Sequence, residues 1–317
     1  MTTSIANYLI ASLTIIVSAI SVGFSQGLTN KAAFQAIDTQ PEIKDKISNL
    51  SLLSSALIET AAIVSMFVAL ILLFEDTQVI NPFYSDLAKI GVGFAIICSG
   101  LVIGLVSAWP AQEACYATAR QPFHAQWIFN FTLIVLSVIQ TPLILAFIVA
   151  LFIKFQATLA VSLADSFRLI GAGVAIGLGS IGPAIGLAHF ARTAIQGIGS
   201  NRNASGRILT FTFISQAIIE SPIIFALVIS LFLLFGGIPK TLIGGVAMLM
   251  AGVTTGLGMF GPGLSSGRTA AAACKEIAAN PENYPALART SIFAQGVIDT
   301  AAIYVLLIAL GFIFFVS

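Results

Sequence analysis

Long apolar runs separated by short polar clusters fill this chain from one end to the other. The runs cover roughly 5–37, 47–74, 87–119, 126–154, 164–198, 207–235, 240–279 and 286–316. A helix crosses the hydrocarbon layer of a bilayer with about 20 apolar residues, and every run is longer than that. Stretches such as 63–74 show no strand-type alternation. A backbone in lipid must satisfy its own hydrogen bonds, so the pattern predicts eight transmembrane helices and an all-α membrane protein.

Composition narrows the class further. Of 317 residues, 58% are hydrophobic and only 9% charged, against about 25% charged in a soluble domain. A net charge of +1 leaves no broad basic face, so no nucleic acid is expected as a partner. Cys98, Cys115 and Cys274 lie far apart, and the two histidines form no HExxH pattern. No disulfide framework, zinc cluster, metal-hydrolase site or bound cofactor is therefore expected. The first basic residue is Lys31, so the first apolar stretch lacks the flank of a cleavable signal and is expected to stay as a span.

The connections alternate in charge. Those around 31–46, 113–124, 189–207 and 268–289 hold ten of the fourteen Lys and Arg residues. Those around 75–89, 154–168 and 236–240 hold the other four, Lys89, Lys154, Arg168 and Lys240. The positive-inside rule places the first set in the cytoplasm and both termini on the opposite side of the membrane.

A repeat organises the whole chain. Mid-way along the even-numbered helices stand Ile58-Glu59-Thr60, Ile139-Gln140-Thr141, Ile219-Glu220-Ser221 and Ile298-Asp299-Thr300, their central residues spaced by 81, 80 and 79. Eighteen positions before each centre comes Pro41, Pro122, Arg202 or Pro281, inside the polar loops Gln40-Pro41, Arg120-Gln121-Pro122, Asn201-Arg202-Asn203 and Asn280-Pro281. The chain thus reads as four tandem helical hairpins over 1–80, 81–160, 161–238 and 239–317. The odd helices are rich in small residues, with Gly171, Gly173, Gly177, Gly179, Gly182 and Gly186 in the third copy. Small residues let helices approach closely in lipid, which suits a closed ring with the odd helices crowded inside. The first two copies hold fewer glycines and are expected to pack less tightly. The GxGxxG segments Gly177–Gly182 and Gly256–Gly261 lie inside long apolar helices and follow no strand, so they read as packing glycines rather than a dinucleotide loop.

Three acids stand out among thirteen. Glu59, Glu220 and Asp299 occupy the middle of even helices, where an ionisable side chain costs about 2.5–3.5 kcal/mol and marks an ion or proton pathway by default. A structural, hydrogen-bonded acid is the plain alternative; three at equivalent repeat positions favour transport. Gln140, at the fourth equivalent position, has no proton to release and makes the second hairpin a silent site. The hydroxyls of Thr60, Thr141, Ser221 and Thr300 follow each centre, either supporting the site or bonding back to their own helix. Gln216 and Gln295 lie one turn earlier on the same face as Glu220 and Asp299. Pro142 and Pro222 release the carbonyls of Val138 and Ile218, which could serve a cation or a water, or simply mark a kink.

At these residues the chain resembles the c-subunit (proteolipid) family of rotary ATP synthases and vacuolar-type ATPases, as four fused copies. The third copy carries the likeness best, through Gly182-Pro183, the polar loop and Gln216-Ala217-Ile218-Ile219-Glu220-Ser221; Arg120-Gln121-Pro122 and Asn81-Pro82-Phe83 add to it. The resemblance implies a non-catalytic rotor-ring subunit whose Glu59, Glu220 and Asp299 bind the transported ion. It implies copies of itself in a ring, a stator a subunit with its arginine, surrounding lipid, and central-stalk subunits touching the four polar loops. It also implies coupling of ion flow to ATP synthesis or hydrolysis, with three ions for every four hairpins.

Sodium-binding members add an inner-helix Gln, the following hydroxyl and a Tyr five positions on. Gln26, Glu59 and Thr60 meet Val64 at the Tyr position; Asp299, Thr300 and Tyr304 meet Ser266 at the Gln position; the third copy has Leu187 and Phe225. With no complete set, protons are expected, with Na+ at the carboxylates as the alternative. A repeat-built secondary transporter fits less well, because two-span repeats share one orientation. A purely structural ring would not need three membrane acids.

Overall fold

The computed structural model describes residues 5–74 and 79–315. Of the connection expected around 75–89, residues 75–78 lie outside the described part. Eight helices long and apolar enough to cross a membrane run through the rest: α1 (Ile5–Thr39), α2 (Pro41–Leu73), α3 (Pro82–Arg120), α4 (Pro122–Ala157), α5 (Leu163–Ser200), α6 (Arg202–Phe235), α7 (Leu242–Ala279) and α8 (Pro281–Phe315). This is an integral, multi-pass membrane protein of four tandem hairpins.

A single residue, Gln40, Gln121, Asn201 or Asn280, separates the two helices of each hairpin, and a short 3-10 turn opens the even one. Proline starts three of those turns, where its fixed φ suits a helix start and its missing N–H would have had no helical partner. In the third loop Asn201 takes over, its side chain accepting from the Asn203 N–H at 3.1 Å.

The helices form two layers. α1, α3, α5 and α7 lie side by side in chain order, and α2, α4, α6 and α8 form a second row over them, also in chain order. Glycine sets the spacing of the first row. A Cβ added at Gly173 would collide with the Gly91 carbonyl oxygen, and one at Gly252 with that of Gly171. Gly177 and Gly182 similarly back onto Phe94 and Phe260, and Gly179, Gly256 and Gly258 onto Ala226, Leu178 and Val305, so these five are packing glycines; Gly261 has open space around it.

The looser packing expected of the first two copies does not appear between α1 and α3. Serine stands in α1 where the third copy has glycine, at Ser18, Ser21 and Ser25. Ser18 meets Ser65 of α2 at 2.6 Å, while Ser21 and Ser25 donate across to the carbonyls of Gly100 and Gly104 at 3.4 and 2.5 Å. Interhelical hydroxyl bonds here do what bare backbone contact does further along the row. Glycine number alone is therefore a poor guide to this interface.

Proline accounts for the breaks in the helices. α3, α4, α5 and α7 break at Ser107, Gln140, Ser180 and Met259, two or three residues before Pro110, Pro142, Pro183 and Pro262, where the ring removes a helical donor and crowds the preceding turn. α6 runs through Pro222 unbroken.

At the end of the bundle away from the intra-hairpin loops, Arg168 is buried and ion-paired with Asp165 at 2.7 Å. It donates to the carbonyls of Leu233 and Leu234 at the end of α6 and to Gln156 of α4. One guanidinium thus satisfies a helix end and ties two outer helices to an inner one.

Candidate ion-binding sites

Each central residue lies eighteen positions beyond its loop, about 27 Å along a helix rising 1.5 Å per residue. Each even helix spans 33 to 36 residues, so Glu59, Gln140, Glu220 and Asp299 stand at matching heights near mid-helix.

Asp299 is half-buried between neighbouring outer helices, its Oδ2 2.5 Å from the Ser221 hydroxyl of α6. The Ser266 hydroxyl of α7 also faces the carboxyl. Glu220 is half-buried in the same way, and its carboxyl faces the Thr141 hydroxyl of α4. Each of these acids therefore faces the hydroxyl of the hairpin before it. Gln140 is buried at 4% exposure and donates from Nε2 to Ser107 of its own hairpin at 3.4 Å. Glu59 is exposed on α2, the outer helix with no hairpin before it.

Several buried polar atoms around these acids have no hydrogen-bond partner among the described residues. They include Oε1 of Glu220, Oδ1 of Asp299, both amide atoms of Gln216, Oε1 of Gln295 and Oγ of Ser266. Such atoms are uncommon in a folded interior and gather where a ligand or a transferred proton has to be served. Gln295 is fully buried and donates to Ser215 and Ser291 at 3.3 and 3.1 Å.

Other expected supporting residues are placed elsewhere. The Gln26 amide donates to the Ser55 carbonyl at 3.2 Å. Tyr304 points outwards at 65% exposure. Thr60, Ser221 and Thr300 all bond back to their own helices, onto the carbonyls of Leu57, Ile218 and Val297 at 2.5, 2.8 and 2.7 Å. The Ile218 carbonyl released by Pro222 thus accepts from the Ser221 hydroxyl. Sequence reasoning gave Thr141 no site to support, because its own hairpin has no acid. The signal was the repeat itself, which places each hydroxyl beside the next copy's centre.

The polar loops form a linked rim. His124 meets Ser205 at 3.1 Å, Asn201 donates to the Ala278 carbonyl at 2.9 Å, and Arg207 pairs with Glu282 at 3.6 Å. Gln40, Pro41, Arg120, Gln121, Pro122, Arg202, Asn203, Asn280 and Pro281 lie in or beside the one-residue breaks of this rim.

The sequence profile of the ATP synthase C-subunit family matches residues 9–72, 170–233 and 249–312, more than half of the chain. The chain belongs to the ATP synthase C-subunit family. The matched segments fall on the first, third and fourth hairpins, those with a membrane carboxylate. Among relatives, the ATP synthase c-subunit of Dehalococcoides mccartyi (strain CBDB1) is 49% identical over 72 residues, covering 23% of this chain and 95% of the relative. That of Campylobacter fetus subsp. fetus is 40% identical over 70 residues, 22% of this chain and 70% of the relative. That of Chloroflexus aurantiacus is 38% identical over 72 residues, 23% and 95%. About a quarter of the present chain thus covers most or nearly all of each relative, as expected for four fused copies.

Proposed function

We propose that this chain is the rotor-ring subunit of a rotary ATP synthase or ATPase and carries protons on Glu59, Glu220 and Asp299. The observation that carries the reading is the placement of three acids at one height mid-way along the outer helices. In lipid a carboxylate is stable only in its neutral, protonated or cation-bound form. Beside an arginine of a stator a subunit and its aqueous half-channels the ionised form is favoured, so the ion leaves and another enters as the ring turns. Gln140 passes through the same positions without carrying anything, giving three ions per four hairpins. That low ratio favours pumping against a steep gradient. The linked rim of polar loops is the surface offered to the central stalk. Its basic residues support a cytoplasmic rim with the termini on the far side. The burial of Lys89, Lys154 and Arg168 supports that orientation, since little of their charge reaches the opposite surface.

Protons are favoured over sodium because no site carries the full oxygen set: Val64 stands at the Tyr position of the first copy, Ser266 at the Gln position of the fourth, and Leu187 and Phe225 at both positions of the third. Copies close the ring head to tail. Gly23 and Gly27 on the free side of α1 have nothing within 4 Å. Their repeat equivalents Gly263 and Gly267 in α7 pack on Pro183 and Gly186 of α5, so α7 of a second copy fits against them. That contact brings the exposed Thr300 of one copy beside the exposed Glu59 of the next.

Carbodiimide labelling of the assembled oligomer tests the assignment. Modification at Glu59, Glu220 and Asp299, unaffected by sodium at fixed pH, is the expected result. Protection by sodium would replace the proton with that ion. A Glu220→Gln rotor that still couples transport to ATP turnover would leave only a structural ring.

A further inference from the structure

Three interfaces between neighbouring hairpins lie within the chain, and the repeat names the residues that meet at a fourth, where one copy follows another. Close to the polar loops, the inner-row contact joins the residue 23 before one hairpin's centre to the residue 21 before the next. Between the first two hairpins these are Ala36 and Ala119, which pack in one cluster. A Cβ added at Gly199 would stand 2.6 Å from that of Ala117, and one at Gly197 would stand 2.9 Å from that of Ala278. Alanine or glycine fills all six positions. Between copies the same pair is Glu276 and Asp38. Two carboxylates thus meet where the other interfaces have room for little more than a methyl group.

The position 24 before the centre also reaches across, since Tyr116 donates to Gln35 at 2.6 Å. Its counterpart in the fourth hairpin is Lys275, which brings an ammonium to Gln35 of the next copy and, one turn along the same face, to Asp38. On the outer row, Arg207 and Glu282 pair at 3.6 Å, joining the residue 13 before one centre to the residue 17 before the next. One turn further along both helices, Asn49 of α2 and Gln126 of α4 line one cleft. Between copies that pair is Arg289 and Asp45. Asp38, Asp45, Lys275, Glu276 and Arg289 are all exposed and form no ion pair among the described residues. The Arg289 guanidinium lies over the Phe293 ring instead, 5.6 Å from its centroid.

We propose that these residues form an ionic junction that recognises a second copy of this chain: Arg289 of one copy pairs with Asp45 of the next, and Lys275 stands between Glu276 and the Asp38 of the next copy. Facing carboxylates repel, and Lys275 supplies the charge that lets them share one contact. Within the chain the linking segments keep the hairpins in order, so bare small-residue contacts suffice. Between copies nothing covalent fixes the order, and charge does so. Like ends would set Arg289 against Arg289 and Asp45 against Asp45, which disfavours any arrangement but head to tail. The inference rests on the head-to-tail closure proposed above.

The test uses the oligomer purified in mild detergent. A bismaleimide joining Glu42→Cys of one copy to Ala286→Cys of the next, the counterparts of Glu282 and Arg207, reports closure, with each cysteine alone as control. In Arg289→Asp the chain concentration needed for half-maximal cross-linking is expected to rise about fivefold, the upper end for one exposed ion pair. Adding Asp45→Arg is expected to restore it. Raising NaCl from about 0.1 to about 1 M, which shortens the screening length from about 10 to about 3 Å, is expected to shift the parent by a similar factor. Lys275→Gln leaves the carboxylates facing each other and is expected to weaken closure as much; adding Glu276→Gly and Asp38→Ala, the residue types of the internal interfaces, is expected to recover it. Cross-linking indifferent to salt and to these charges, or a reversed pair that restores nothing, overturns the ionic junction and leaves head-to-tail closure intact. No cross-link between copies in the parent pair overturns the closure itself.

Discussion

At the scale of single residues, position within the repeat decides what a side chain does. Gln140 stands where the other copies have an acid, buried and bonded to Ser107, so its amide already has a partner within its own hairpin. Gln140→Glu is expected to add a fourth carbodiimide-reactive residue per chain, which mass spectrometry of the labelled subunit reads directly. The acids were legible in the sequence because a charge in an apolar helix is conspicuous. The pairing of Asp299 with Ser221 was not, because it crosses a hairpin boundary and the periodicity of one helix says nothing about its neighbour. Gln26 was legible as an amide at the right height, but its bond to the Ser55 backbone depends on a rotamer that sequence does not specify.

At the scale of elements, two kinds of contact hold the rows together. Glycine brings α5 against α3 and α7 until backbone meets backbone, and Gly173→Leu has no room beside Gly91. That variant is expected to lose the assembled oligomer on detergent gels, whereas Gly206→Leu, with open space around it, assembles normally. Arg168 is the second kind. Replacing it with Leu leaves Asp165 charged and buried and two carbonyls without donors, for an expected cost of about 3–5 kcal/mol, seen as a lower melting temperature of the solubilised protein. Helix number and hairpin pairing followed from run lengths and loop spacing. The serine seam between α1 and α3 did not, because serine reads as polar in a hydropathy profile and as small only in a packed interface.

At the scale of the molecule, four hairpins form a two-layered row with unlike ends, α1–α2 at one and α7–α8 at the other. A projection image of the oligomer is expected to show outer helices in a multiple of four; any other number excludes head-to-tail closure by whole chains. In reconstituted membranes, the gradient at which ATP-driven transport stalls is expected to exceed by about a third that of a Gln140→Glu rotor, since the same ATP drives three ions in place of four. Unlike ends on one polypeptide also restrict how such a machine can be re-geared. A rotor of separate hairpins gains or loses one tooth at a time; on the proposed reading of this chain the smallest change of wheel size is four teeth, and it brings three filled notches and one blank with it.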